Sequence, residues 1–111
     1  MEISKRREKD VLVISLKGRL DAVTSPVLEK DLTDLMAGGE RFLVMDLGDL
    51  DYISSAGLRS ILVVVKRLKE KQGKLLLASL KGVVSEAFEI SGFSTIIPIF
   101  GSVDSALSSL E

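Results

Sequence analysis

The densest run of chemically capable side chains is Asp46-Leu47-Gly48-Asp49-Leu50-Asp51-Tyr52-Ile53-Ser54-Ser55-Ala56-Gly57-Leu58: three carboxylates, then two serines, then a pair of small residues. A serine nucleophile needs a base, and the chain contains no histidine and no cysteine. Ile53 also stands where a Gly-x-Ser-x-Gly elbow centred on Ser55 needs its first glycine. The same two absences remove Cys-His catalysis, the commonest zinc ligands and the usual proton shuttle at neutral pH. No catalytic residue is therefore expected. Asp46, Asp49 and Asp51 lack the spacing of a calcium loop, and no Walker-A glycine loop precedes a lysine. Aspartates at a strand end that bond loop backbone fit better, so no metal site is expected.

The serines carry two readings. Either hydroxyl can cap the free backbone N–H groups of a helix that begins here. A serine at this place also lies at the positive end of the helix dipole, where N–H groups accommodate a phosphate. A cap needs only one serine, and Ala56-Gly57 adds bare backbone that a partner could approach closely. The pattern thus favours a phosphorylation site on a binding surface.

The surrounding elements must hold this junction. Glu2 to Lys9 and Val11 to Lys17 read as two strands around Lys9-Asp10, the second apolar on both faces. Gly18-Arg19-Leu20-Asp21 leads to Thr24-Ser25-Pro26, where Ser25 is expected to cap a helix with Pro26 at its first position. That helix should run to about Met36, burying Leu28, Leu32, Leu35 and Met36, with Gly38-Gly39 ending it. Phe42 to Leu47 is a buried central strand. Leu58, Ile61, Leu62, Val65 and Leu68 mark a second helix reaching about Gln72 and stopped by Gly73. Leu75 to Ala78, Val83 to Ser91 and Ile96 to Phe100 read as strand, helix and edge strand, Pro98 arguing for the edge. Ser102 caps a last helix with Val103, Ala106, Leu107 and Leu110 inward. The order β-β-α-β-α-β-α-β-α implies an α/β domain: a mixed, mostly parallel sheet of about five strands covered by about four helices.

Composition narrows the function. With 111 residues and 46% apolar content, one domain spanning 1–111 can fill a core without disulfides or metal. A formal net charge of −1, and a Lys5-Arg6-Arg7 cluster broken at once by Glu8 and Asp10, argue against direct nucleic-acid binding. No apolar run approaches a membrane span, and Met1 to Lys5 lacks the apolar stretch of a secretory signal, so no membrane association and a cytoplasmic location are expected.

Taken together, the Val11 to Leu16 strand with Gly18-Arg19-Leu20-Asp21, the strand Leu43-Val44-Met45-Asp46-Leu47, the segment Tyr52-Ile53-Ser54-Ser55-Ala56-Gly57-Leu58 and Phe88-Glu89-Ile90-Ser91-Gly92-Phe93 make the chain resemble the STAS-domain anti-sigma factor antagonists, from about Ile3 to Leu110. That family's second-helix motif is Asp-Ser-Ser/Thr-Gly-Leu, whose serine directly after the aspartate is phosphorylated. Matching Gly57-Leu58 to the motif places the phosphorylated serine at Ser55, with Ser54 in the aspartate position and Ala56 after it; Ser54 is the alternative acceptor. The resemblance implies a STAS-like fold and a partner-switching cycle. The unphosphorylated chain binds an anti-sigma factor that is also a serine kinase and releases the sigma factor. Phosphorylation ends that binding, and a PP2C-type phosphatase restores it. The implied partner-binding surface comprises Asp21, Thr24, Ser25, Ser54, Ser55, Ala56 and Gly57. Nothing resembles a nucleotide fingerprint, so no cofactor is expected. A STAS interaction module of another circuit, such as a stress-signalling scaffold or a transporter-associated subunit, is the alternative.

Overall fold

A computed structural model describes all 111 residues. The elements are β1 (Glu2–Glu8), β2 (Val11–Leu20), α1 (Ser25–Ala37), β3 (Phe42–Ile53), α2 (Ser55–Glu70), β4 (Lys74–Ala78), α3 (Gly82–Ser91), a 3₁₀ turn (Phe93–Thr95), β5 (Ile99–Phe100) and α4 (Val103–Ser109). The five strands lie in the order β1-β2-β3-β4-β5. β1 runs antiparallel to β2 through a tight hairpin, and all later pairs are parallel.

Alternation along the strands divides the apolar residues between two faces. Leu12, Ile14, Leu16, Leu43, Met45, Leu47, Leu75 and Leu77 face one way, and α1, α2 and α3 close over them with Leu28, Leu32, Met36, Ile61, Val64, Leu68, Val84 and Phe88. Val11, Val13, Val44, Leu76 and Ala78 face the other way, where α4 alone covers them through Ala106, flanked by Val103, Leu107 and Leu110. Lys5 and Arg7 of β1 reach over α1's side of the sheet, Lys5 to Asp31 at 2.9 Å and Arg7 to Glu40 in a two-pronged pair whose longer arm is 2.9 Å. That pair holds the Glu40 carboxyl below the usual carboxylate range, chiefly through the Arg7 hydrogen bond.

Several boundaries differ from the sequence reading. β2 and β3 run on to Leu20 and Ile53, well past the end of β4 at Ala78, so the Gly18–Leu20 and Gly48–Ile53 segments are strand and not loop. Register shifts between Ser15 and Lys17 and between Gly18 and Arg19 let this extension twist while Leu20, Leu50 and Ile53 still reach the core. β5 shrinks to Ile99–Phe100 because Pro98 has no N–H to offer β4, and residues 93–95 form the 3₁₀ turn instead. α2 ends at Glu70, since Gln72 is left-handed at φ +62°, and it buries Val64 in preference to Val65.

Candidate functional site at the start of helix α2

Three segments meet at one end of the sheet: the end of β2, the turn from Asp21 to Thr24, and the β3–α2 junction. They are bound by backbone first. The Ser54 N–H donates to the Leu20 carbonyl at 2.9 Å, which ties the start of α2 to the last residue of β2. Gly57 lies against the same place: a Cβ there would sit 2.8 Å from the Leu20 carbonyl oxygen and 2.9 Å from side-chain carbons of Leu20 and Ile53. Gly57 is buried, so its missing side chain admits Leu20 of the same chain and presents no bare backbone to a partner. Of the residues expected at the partner surface, Gly57 is therefore one that the chain itself covers.

The two serines divide their tasks. Ser54 is the N-cap, in extended backbone, and its Oγ accepts the Gly57 N–H at 3.2 Å. Ser55 is the first helical residue; it is exposed and its hydroxyl makes no hydrogen bond within the chain, while Ala56 beside it is half-buried. Helix geometry leaves first-turn N–H groups without helical partners at this position.

The Asp21–Ser25 turn is built from reciprocal bonds. The Asp21 carboxylate accepts the N–H groups of Val23 at 3.0 Å and Thr24 at 3.1 Å. Thr24 Oγ1 accepts the Asp21 N–H at 2.9 Å and donates to the Arg19 carbonyl at 2.9 Å. These bonds hold the Asp21 carboxyl below the usual carboxylate range; the Thr24 N–H contributes most, the Val23 N–H and Thr24 hydroxyl add to it, and Arg19 assists, against an opposing effect of burial. Ser25 does not cap α1 as expected. Thr24 occupies the N-cap position, and Ser25 is the buried first residue, donating its hydroxyl to the Asp21 carbonyl. Buried and already bonded, Ser25 offers no side chain to a partner; Asp21 and Thr24 stay half-buried at the surface.

Other residues of this end escaped the sequence reading. Val23 is 81% exposed and Val27 59% exposed, an apolar pair beside a turn where solvated side chains are the norm. Arg19 stacks over the Tyr52 ring at 4.3 Å and reaches Asp21 at 3.8 Å. A groove of about 520 Å³ runs from Ala22 and Ala56 between α1 and α2, with Arg59, Lys30 and Arg67 along it. On its floor the buried Ser60 hydroxyl donates to Glu29 at 2.9 Å, tying α2 to α1. The one available signal was Val23, an apolar residue in a turn of polar ones.

The carboxylates do not converge. Asp46 Oδ1 accepts the Gly48 N–H at 3.0 Å, as a strand-end aspartate does, whereas Asp49 and Asp51 are exposed along β3. No three His, Cys, Asp or Glu side chains come together as metal ligands. No helix is long and apolar enough to cross a membrane.

Known proteins share this architecture. Residues 2–106 match the STAS domain family model. BtrV of Bordetella bronchiseptica, assigned as an anti-sigma factor antagonist, is 41% identical over 111 residues, covering 100% of this chain and 96% of that protein. The anti-sigma-B factor antagonist of Listeria monocytogenes is 33% identical over 95 residues, covering 86% of this chain and 83% of that one. Among solved structures, the Bacillus cell fate determinant SpoIIAA in its phosphorylated form superposes with a TM-score of 0.78 over 99% of this chain and 100% of its own, at 16% identity, a likeness of fold. By its family-model match and by these relatives, the chain belongs to the STAS-domain family.

Proposed function

We infer that the chain is a cytoplasmic anti-sigma factor antagonist that works by partner switching. Unphosphorylated, it binds an anti-sigma factor with serine kinase activity and so frees a sigma factor. Phosphorylation of Ser55 ends that binding, and a PP2C-type phosphatase reverses it. The observation that carries this reading is the division between the serines: Ser54 Oγ is engaged with the Gly57 N–H, while Ser55 lies exposed one residue on, its hydroxyl free. The names of the relatives, anti-sigma factor antagonists at 41% and 33% identity, support the partner class. Around Ser55 the docking surface comprises Asp21, Thr24, Val23, Val27 and Ala56, an apolar patch beside a rigid polar turn.

Two electrostatic magnitudes favour switching over unfolding. At a helix N-terminus a phosphate is stabilised by about 0.3 to 1 kcal/mol, so the domain keeps its fold. Against a partner, one like charge about 5 Å away at an effective dielectric near 20 repels each phosphate charge by about 3 kcal/mol. A net loss of about 3 kcal/mol is a hundredfold in affinity.

The test is incubation with the cognate kinase and labelled ATP, followed by mass spectrometry and binding measurements. Phosphate on Ser55, none on Ser55→Ala, and a roughly hundredfold weaker complex at unchanged melting temperature are expected. Phosphate on Ser54 with Ser55→Ala still modified would reassign the acceptor, and unchanged affinity would refute the switch.

A further inference from the structure

We propose that Arg59 is the intramolecular counter-ion of phosphorylated Ser55, so that modification installs a dianion and withdraws a cation from the same surface. The inference rests on Ser55 being the acceptor. Ser55 and Arg59 stand at i and i+4 on α2, both exposed, and residues so spaced are neighbours on one helix face. The anion lies N-terminal to the cation, the orientation that also suits the helix dipole. Arg59 is uncommitted: none of the six salt bridges and none of the side-chain hydrogen bonds involves it. Arg19, the other arginine at this end, is already held by the Tyr52 ring and Asp21.

The chemistry of the groups favours the pair. A guanidinium presents several N–H donors in a plane and binds phosphate oxygens through two of them at once, which a lysine does not. Arg59 lines the groove that opens at Ala56, next to Ser55, so before modification its charge is available to whatever docks there. After modification that charge is neutralised one turn away. The nearby charges set the sign of the effect: Asp21 and Asp51, both close in sequence or space to the junction, oppose a phosphate dianion, and Arg59 offsets them. In the groove Glu29 accepts the Ser60 hydroxyl and makes no ion pair with Arg59.

The experiment uses the full chain with phosphoserine encoded at position 55, which needs no kinase. The second ionisation of the phosphate is followed by ³¹P resonance against pH in the parent, Arg59→Gln and Arg59→Lys. Arg59→Gln should raise that ionisation by about 0.3 pH unit, a twofold change in proton affinity, and Arg59→Lys should recover part of it. The unphosphorylated variants should melt within a degree or two of the parent, which separates a counter-ion from a structural role. An ionisation unmoved in Arg59→Gln would overturn the proposal. Failure of the kinase to modify Ser55 would instead sink the switch and leave this titration unaffected.

Discussion

The two ends of helix α2 are built around the same device and used differently. At its start Gly57 admits the Leu20 carbonyl, and at its far end Gly73 admits the Arg41 carbonyl, where an added Cβ would sit only 2.3 Å from the oxygen. The far end is fully tied: the Gly73 N–H donates to the Leu68 carbonyl, and the Lys74 N–H to the Arg41 carbonyl, which joins the helix exit to the start of β3. The near end is tied through Ser54 and Gly57, yet leaves one exposed hydroxyl, Ser55, beyond the bonds that hold it. A surface switch needs such an arrangement, because the modified group must be free while its platform stays rigid.

The largest effect expected from breaking either end is at Gly73. Gly73→Ala should lower stability by about 3 kcal/mol, since backbone meets the new methyl group on a side that cannot yield, and urea unfolding will read it. Gly57→Ala meets a looser obstacle at 2.8 to 2.9 Å and gains about 1 kcal/mol of helix propensity. A net loss of about 1 to 2 kcal/mol is expected. It should be accompanied by slower phosphorylation of Ser55 as the first turn shifts, a kinetic effect that Gly73→Ala should lack when both are assayed below their melting temperatures.

Ser54→Ala and Ser55→Ala sharpen the division at the near end. Loss of the cap at Ser54 should cost about 1 kcal/mol, whereas Ser55→Ala should stay within about 0.5 kcal/mol of the parent in the same unfolding assay. Equal losses would mean that the caps are shared.

The smallest effect is the pH dependence of the Asp21 turn. Its carboxyl is held below the usual range in the folded chain, so its contribution to stability is present above the unfolded carboxyl pKa and is lost as pH falls through the lower folded value. Asp21→Asn should therefore differ from the parent at neutral pH, and the two unfolding curves should converge as the solution is acidified below the ordinary carboxylate range.

Much of this was legible in the chain. Pro26, Gly38-Gly39 and Ser102 punctuate helices through local backbone chemistry, and the doubly apolar runs at Leu12–Leu16, Phe42–Leu47 and Leu75–Ala78 marked buried parallel strands. The Ser54-Ser55 pair at a helix start could be read for the same reason, since an N-terminus needs a cap wherever it lies. Local patterns did not reveal the long extension of β2 and β3, because its pairing takes an extra β3 residue at each of two register shifts and depends on both strands at once.

Which serine would be free was likewise not a sequence property. Either hydroxyl could cap, and the choice followed from Leu20 accepting the Ser54 N–H and filling the space over Gly57, a contact between residues more than thirty positions apart. The glycine that looked open to a partner is closed by that contact. The exposure of Val23 and Val27 is likewise a result of packing and not of local pattern. Residue types and their short-range spacing determined the elements, their caps and the kind of chemistry available here. Only tertiary packing decided which groups are consumed in holding the junction together and which stay at the surface to be modified, because burial and hydrogen-bond partners are set by neighbours distant in the chain.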